Sequence, residues 1–472
     1  MNTHRTLCIG DVLNLIFEEL KDDRPALAAC ALTCRFLLPI ALDYLWKELE
    51  TSTPIKRLLP NLWNPDGTYR TIVRPDEWER FDKYAVRVEV LGVDELDTRE
   101  RYLWQLYCQV CGLRPGVIPF PNLRKLRLYQ DFEQADHAAS LLLFPLSLRE
   151  LRVDFGSAMF NRSLRVAEGY LQAAARQVPK LEHLRLHGDP PATSYMCITQ
   201  YKHLHILDLR YSHTVDARIY RDLISAVSTM KELVEIHLPD QGMNGIRGKC
   251  IPPCRGFPAL RVLGIQASPN NIIQFLGTLA TSHLREVICK GGNIRSTPSE
   301  WQQCVQELCA HHGASLHSVE LRSRAVNVWD TNTGNRQDIF KEITAPLLGL
   351  RRLEDVTLEF FMLDLSAEDL YAMASAWPNL RHLKIGSKID HYNRPADGPS
   401  TYNCLLSLAQ LCPKLFHLEL IFQDDKLPDI AQWPLLSHGL RELKLDIPLH
   451  IEAQLAPFLA RIFPRKYEPW IR

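Results

Sequence analysis

The sequence predicts an α/β protein: a short N-terminal three-helix module followed by an irregular solenoid of strand–turn–helix repeats with a concave parallel sheet. Two observations carry this. A six-residue pattern, Leu-x-x-Leu-x-Leu, recurs along most of the chain with helix-period stretches between its copies. Residues 9–50 lack that pattern and instead place apolar residues at helical spacing in three short runs.

The repeat appears first as Leu123-Arg124-Lys125-Leu126-Arg127-Leu128 and Leu148-Arg149-Glu150-Leu151-Arg152-Val153. It returns at Leu181–Leu186, Leu204–Leu209, Leu233–Leu238, Leu260–Ile265, Leu284–Cys289, Leu316–Leu321, Leu353–Leu358, Leu380–Ile385, Leu415–Leu420 and Leu440–Leu445. The twelve copies are spaced by 23 to 37 residues, with a mean of about 29. The last four residues of each alternate as a half-buried strand requires. Between them, helices are expected over Leu164–Val178, Ala217–Met230, Ile272–Thr281, Trp301–His311, Ala367–Trp377 and Tyr402–Leu411. Thr297-Pro298-Ser299-Glu300 is a capping box with Pro at the first helical position, and Ser366 with Asp369 is a looser version. Such a unit cannot bury its apolar faces alone, but stacked units share one core. An earlier strand is expected at Tyr84–Leu91, where Val86, Val88 and Val90 alternate with Arg87 and Glu89. A closing helix, interrupted or kinked by Pro457, is expected over Ile451–Leu459, with a peripheral tail from 464 to 472.

This pattern resembles leucine-rich repeats over roughly three-quarters of the chain. The usual Asn or Cys three residues after the last core Leu is replaced by Asp131, Asp189, Ser212, Gln241 and Ser268, then by Phe361 and Lys388. The resemblance therefore implies an irregular arc. It also implies that residues between the core leucines line a binding face. Lys125, Arg127, Tyr129, Arg152, His183, Arg185, His187 and Arg210 form its basic early part. His237, Glu320, Asp355, Glu359, His382, Lys384, His417, Glu419, Glu442 and Lys444 follow. Arg127, Tyr129, Arg152, Arg185, His187 and Arg210 are the candidate contacts to a protein substrate, Arg and Tyr being favoured at interaction hot spots.

In the N-terminal module, Val12, Leu13, Ile16, Phe17 and Leu20 share one helical face. Pro25 suits the start of a second helix carrying Leu27, Cys30, Ala31, Leu32 and Cys34, and a third is expected over Ile40–Leu49. Three helices in this length make a core too small to stand convincingly alone. The strings Leu13-Asn14-Leu15-Ile16-Phe17, Leu27-Ala28-Ala29-Cys30-Ala31-Leu32-Thr33-Cys34-Arg35-Phe36 and Leu45-Trp46 resemble the F-box of fungal proteins, with Ile9-Gly10 where that family has Leu-Pro. The resemblance implies docking onto a Skp-type adaptor within a cullin-RING ubiquitin ligase. The implied contacts are Ile9, Val12, Leu13, Ile16, Phe17, Leu20, Leu27, Cys30, Leu32 and Leu45. The same residues read by burial alone make the core of a three-helix cap. A helical connector is expected over 51–83, with a turn at Asn64-Pro65-Asp66-Gly67, which leaves 1–50 as the module and 84–463 as the repeats.

Lys plus Arg equals Asp plus Glu, 55 against 55, so no overall field directs the chain to nucleic acid or an anionic membrane. No secretory signal is evident, and the thirteen scattered cysteines read as reduced thiols of a cytosolic or nuclear protein. The most apolar stretch, Ala26–Leu42, holds Arg35 and Pro39 and reads as buried helix. Gly242 to Lys249 has phosphate-loop character but is one residue too long, with Cys250 where a Ser or Thr would hold magnesium. Cys108 with Cys111, Cys250 with Cys254, and Cys304, Cys309, His311 and His312 lack a second pair at zinc spacing. No nucleophile motif is present. The expectation is a non-catalytic protein without cofactor or metal.

Overall fold

The computed structural model describes residues 10–62, 73–93, 106, 109–110, 113–130, 141–155, 164–188, 192–212, 217–238, 256–281, 283–291, 296–323, 336–360, 364–389, 402–422, 427, 433–447 and 449–464. Ile9, the expected turn at 64–67, Cys108, Cys111, Asp131, Asp189, residues 241–255 with their phosphate-loop and cysteine motifs, Phe361 and residues 465–472 lie outside them. Contacts divide the chain into two compact units, Met1–Thr214 and Val215–Arg472. No helix among the described residues is long and apolar enough to cross a membrane.

The first unit opens with three helices, α1 (Gly10–Glu19), α2 (Arg24–Thr33) and α3 (Leu37–Lys47). Leu13 and Phe17, one turn apart on α1, meet Leu27 and Ala41 in a small core, with Leu20, Cys30 and Leu45 packed at its margin. Asp23 caps α2 by accepting the Ala26 N–H at 3.0 Å, and Pro25 sits in the first turn. The third helix starts earlier than expected. It takes Pro39 into its first turn, where a helix has no use for that residue's N–H. It also ends earlier, at Lys47, because Glu48–Leu49 form a strand, β1, paired in parallel with β2 (Val90–Val93). The Glu89 N–H donates to the Lys47 carbonyl at 2.9 Å, Trp46 and Tyr84 lie 4.6 Å apart, and Arg87 pairs with Asp43. Backbone and side chains together tie the helical module to the sheet.

The connector holds α4 (Thr53–Leu58), a 3-10 turn at Pro60–Leu62 and α5 (Pro75–Ala85). The strand expected over Tyr84–Leu91 forms only from Val90. Trp78, Phe81 and Ala85 bury one face of α5 and carry the helix on to Ala85, and the chain turns through 86–89 before extending. Strands β3 (Lys125–Gln130), β4 (Glu150–Phe155), β5 (His183–Gly188) and β6 (Ile206–Ser212) follow, with α6 (Leu164–Gln177) between β4 and β5. Pairing is parallel and places equivalent motif residues side by side, as in Leu126↔Leu151↔Leu184↔Leu207. A register shift between Arg185 and His187 interrupts the last pair.

The second unit repeats the scheme through β7 (Glu235–Leu238), β8 (Val262–Ala267), β9 (Glu286–Gly291), β10 (Ser318–Ser323), β11 (Asp355–Phe360), a short β12 (Asp364–Leu365), β13 (His382–Ile389), β14 (His417–Phe422) and β15 (Glu442–Asp446). Its helices are α7 (Ala217–Val227), α8 (Pro269–Leu276), α9 (Pro298–His312), α10 (Arg336–Thr344), α11 (Ala367–Ala376), α12 (Asn403–Leu411) and α13 (Leu449–Ile462), which runs through Pro457. Successive helices pack side by side, α8 on α9, α9 on α10 and α11 on α12. Both predicted capping boxes form. Glu300 N–H donates to Thr297 Oγ1 at 3.2 Å, and Asp369 N–H donates to Ser366 Oγ at 3.1 Å. Helix α8 begins three residues before its expected start, because Ser268 precedes Pro269 in a first turn.

Every one of the twelve motifs becomes a strand that starts two residues after its first leucine. Those first leucines, such as Leu123, Leu181, Leu284 and Leu353, are buried under the strand rather than in it. For most of them the following residue supplies a carbonyl that accepts two N–H groups from the next repeat. Arg124 O accepts from Arg149 and Glu150, Arg149 O from Glu182 and His183, Arg285 O from His317 and Ser318, and Arg381 O from Phe416 and His417, all at 2.8–3.1 Å. Replacing a first leucine should therefore cost more than any exposed change. We expect Leu284→Ala to lower stability by about 2–5 kcal/mol, read from the urea midpoint. Leu435→Ala, at an exposed site, should change it by less than about 0.5 kcal/mol.

Candidate functional site

Two surfaces collect the residues singled out by the sequence: the outer face of the three helices, and the strand face of the repeats.

On the helices the apolar residues separate into two sets. Leu13, Phe17 and Leu27 are buried in the module core, and Val12, Leu20, Cys30 and Leu45 are half-buried. The first three are thereby corrected from partner contacts to core, since their surfaces are already spent on one another. Exposure instead falls on Leu32 (88%), Leu15 (71%), Phe36 (47%), Ile16 (40%) and Leu38 (37%). Ile16 and Leu32 were among the expected contacts. Leu15, Phe36 and Leu38 were not, because helical spacing alone marks which residues share a face and not which face the rest of the fold covers. A cleft of about 760 Å³ lies beside the module, lined by Asn14, Asp43, Tyr44, Lys47, Arg87, Glu89 and Arg124 among others. Its polar groups pair with one another: Tyr44 Oη donates to the Asn14 carbonyl at 3.0 Å, Asn122 Nδ2 to the Val86 carbonyl at 2.8 Å, and Arg87 to Asp43. The cleft is a joint filled with mutual contacts.

On the strand face, alternation puts Leu, Val and Ile inward and the charged residues outward. Register then builds rows across β3, β4, β5 and β6. The middle row is Arg127, Arg152, Arg185 and Asp208; the outer row is Tyr129, Asp154 and His187. Lys125, Glu150 and His183 form the third row. Glu150 Oε2 lies 3.7 Å from His183 Nδ1 and 3.2 Å from Lys125 Nζ. The imidazole first, then the ammonium, holds its carboxyl down to about 2. Arg152 Nη2 lies 3.1 Å from His187 Nδ1 and 3.7 Å from Asp154 Oδ2. Burial, helped by the Arg152 charge, pushes the His187 imidazole below its ordinary value. Arg210 is drawn away from the rows onto Asp208, with Nη2–Oδ2 at 2.6 Å and Nε–Oδ1 at 3.0 Å. The five cations Lys125, Arg127, Arg152, Arg185 and Arg210 face three carboxylates, Glu150, Asp154 and Asp208.

The strands of the second unit carry the opposite balance. Glu235, Glu286, Glu320, Asp355, Glu359, Glu419, Glu442 and Asp446 outnumber Lys290, Arg322, Lys384 and Lys444. Lys384 Nζ is held between Glu359 at 3.2 Å and Glu419 at 2.9 Å. Asp355, His382, His417 and Glu442 stand in one row, with His417 Nδ1 at 2.8 Å from Glu442 Oε2. His237 is not presented to a partner as expected. Gly264 stands opposite it, and the imidazole fills the space a Cβ there would take, 2.8 Å from Glu235 Oε1. Among the described residues no three His, Cys, Asp or Glu side chains gather to hold a metal ion. Burial pushes the Cys304 and Cys412 thiols up to about 12 and Cys309 to about 11, which keeps them protonated and unreactive at neutral pH.

Register-locked parallel strands, one per leucine motif, with helices between them define a repeat fold of the leucine-rich-repeat class. No family profile matches the chain, and no curated protein does. Among solved structures, the chain is similar to a leucine-rich-repeat protein of Leptospira interrogans (14% identity, 70% of this chain and 68% of that one, TM-score 0.31). It is also similar to the Rad7 and Elc1 complex of yeast (12%, 85% and 98%, TM-score 0.35). A third is a Bacteroides fragilis protein (11%, 66% and 84%, TM-score 0.36). The fold assignment rests on the strand register of this chain.

Two outcomes check this geometry. A carboxyl held below its ordinary value stabilises the fold above that value and loses its contribution as pH falls from about 4.5 to about 2. We expect Glu150→Gln to be less stable than the parent by about 2 kcal/mol at pH 6, the gap closing towards pH 2, measured by thermal melts. Native alkylation with iodoacetamide at pH 8, read by mass spectrometry, should leave Cys289, Cys304 and Cys412 unmodified while the unfolded chain reacts at all three.

Proposed function

We propose that the chain is a non-catalytic, substrate-recruiting adaptor of a Skp-cullin-F-box type ubiquitin ligase, acting in the cytosol or nucleus. The helical module docks a Skp-type adaptor, and the strand face holds a protein substrate. One observation carries the reading. Five large apolar side chains, Leu15, Ile16, Leu32, Phe36 and Leu38, are exposed within the module, whose own core is only four buried residues. Single exposed leucines are ordinary, but this density in so small a unit fits a surface that a partner covers. The motif strings that resemble the F-box run through the same residues, and a repeat face of mixed charge suits a protein partner better than a small molecule.

The attachment of α3 to the sheet through β1 supports a second reading, a repeat-based interaction scaffold whose helices only cap the stack. The two separate in a pull-down of the purified chain with a Skp-type adaptor. Ile16→Asp combined with Leu32→Asp charges the exposed face and spares the core, whereas any Phe17 change would dismantle it. Wild-type capture that falls by about 100-fold in this variant, with circular dichroism unchanged, supports the ligase role. No capture by the folded wild type at tens of micromolar leaves the scaffold.

A further inference from the structure

The parallel ladder of the second unit ends at β15. That strand pairs with β14 from Glu442 to Asp446, and among the described residues no strand lies beyond it. The Glu442 N–H donates to the Phe416 carbonyl at 2.9 Å. Backbone groups alternate in direction along a strand, so Leu443 and Leu445 turn their N–H and C=O groups to the open side. The side chains show the same incompleteness. On the two preceding long strands Leu383, Ile385, Leu418 and Leu420 are fully buried, whereas Leu443 and Leu445 at the equivalent motif positions are only half-buried. The closing helix α13 is anchored instead on the segment before β15. The Trp433 and Phe458 rings lie 5.6 Å apart, Arg461 Nε donates to the Trp433 carbonyl at 2.9 Å, and the Arg461 carbonyl accepts the Leu436 N–H at 2.8 Å. Within the described residues β15 therefore lacks, on one side, the backbone partner and the apolar neighbour that a strand inside the ladder has.

We propose that the open edge of β15 receives an extended segment of a partner protein as one further strand of the ladder. Main-chain bonds hold such a segment, and its alternate side chains decide which segment is held. Charge and burial along β15 define it: basic residues opposite Glu442 and Asp446, an acidic one opposite Lys444, and apolar ones opposite Leu443 and Leu445. The inner neighbour already has this chemistry. On β14, His417 stands opposite Glu442, with Nδ1 at 2.8 Å from Oε2, Glu419 stands opposite Lys444, and Leu418 and Leu420 stand opposite Leu443 and Leu445. The order acid, base, acid reads the same in both directions, so the match holds for a parallel or an antiparallel segment. It counts against a second copy of this chain. Full antiparallel pairing of two β15 strands sets Glu442 against Asp446 and Lys444 against its own copy, and like charges directly opposite oppose pairing. Register shifts that relieve the clash keep only three of the five residue pairs. The charges that guard the edge against self-association thus select the partner. The proposal depends on neither the helical module nor the outward face of the strands.

Fluorescence polarisation of the full chain tests this with a labelled peptide centred on Lys-Val-Glu-Val-Lys. One control is the charge-reversed peptide centred on Glu-Val-Lys-Val-Glu. Two more are forms of the first peptide N-methylated at alternate residues, one in each phase. The expected result is binding at about 100 µM or tighter, at least about ten-fold tighter than the charge-reversed peptide. One N-methylated form should lose binding and the other keep it, because a strand offers only alternate N–H groups to each neighbour. Leu445→Pro removes an outward N–H from an edge strand, where proline is tolerated, and should weaken binding by about ten-fold or more. Asp446→Lys, at an exposed position, should weaken it by about three-fold or more with the melting temperature unchanged. This second variant decides the matter if the proline variant does not fold. Lys202→Gln, exposed in the first unit, should leave binding unchanged. No binding of the first peptide at about 1 mM, equal binding of the charge-reversed peptide, or binding indifferent to both N-methylated forms and to Asp446→Lys would each overturn the proposal. Dimerisation of the wild type in sedimentation, lost in Leu445→Pro, would assign the edge to a second copy. Binding that appears only after deletion of residues 465–472 would assign it to the chain's own tail; either result also overturns the proposal. None of these changes lies in the helical module, so failure here leaves the adaptor pull-down to be read by itself.

Discussion

The carbonyl of the residue after most first leucines accepts two N–H groups from the following repeat, and this bifurcated step sets the spacing of those strands within each unit. It fixes register at the head of these strands before the ladder proper begins. A slip of one residue would turn every leucine outward. The buried first leucine pins the same point from below, so backbone pairing and apolar burial specify one register between them. Because the ladder uses main-chain groups, it does not depend on the turn residue that follows the strand. Substitution of the usual Asn at Ser268 is tolerated for this reason: Ser268 stands instead before the first turn of α8. The irregular spacing of the copies is likewise absorbed between strands, in helices and 3-10 turns of unequal length, and in the register shifts near Arg185 and Lys384.

Strands were the most legible part of the sequence, since period-two alternation after a fixed leucine leaves little freedom. Helices were legible where a capping box or proline marked the start, as at Thr297 and Ser366. Others were legible from apolar period alone, as over Leu164–Gln177, Ala217–Val227 and Asn403–Leu411, and others still were missed. Helix α10 begins at Arg336 with only Asp338 in its first turn, and the 3-10 run Ala192–Gln200 shows no apolar period to read. Errors gathered where two patterns overlap. Val86, Val88 and Val90 alternate as a strand would, yet the helical face Trp78, Phe81 and Ala85 wins as far as Ala85, because burying two aromatics outweighs the strand preference of one valine. At Glu48–Leu49 a helix gives way to strand because an open sheet edge at β2 offers partners for its backbone.

The site was legible in composition and less so in arrangement. Sequence placed Arg127, Arg152 and Arg185 on one face, since each is the fifth residue of its motif. That they stand in one row follows from register. That Arg210 is diverted onto Asp208 does not follow from spacing at all; it needs the bend of β6, where His187 pairs with Tyr211. In the helical module the apolar positions were evident, but which of them face inward depends on how α2 and α3 cross α1. Phe17 packs on Tyr44 at 5.8 Å between ring centres, and that contact turns Ile16 outward. His237 shows the same limit, a face residue closed off by the glycine opposite it.

A division of labour links these surfaces: helices that expose large apolar side chains beside a small core, and strands that expose charged residues in register rows. Its central claim is that the helices alone receive the Skp-type adaptor. Hydrogen-exchange mass spectrometry of the full chain, alone and saturated with that adaptor, tests it most directly. The account predicts slowed exchange in peptides spanning 10–47, with strands β3 to β6 unchanged. Protection on those strands, or no protection anywhere in a chain that remains folded, would contradict it.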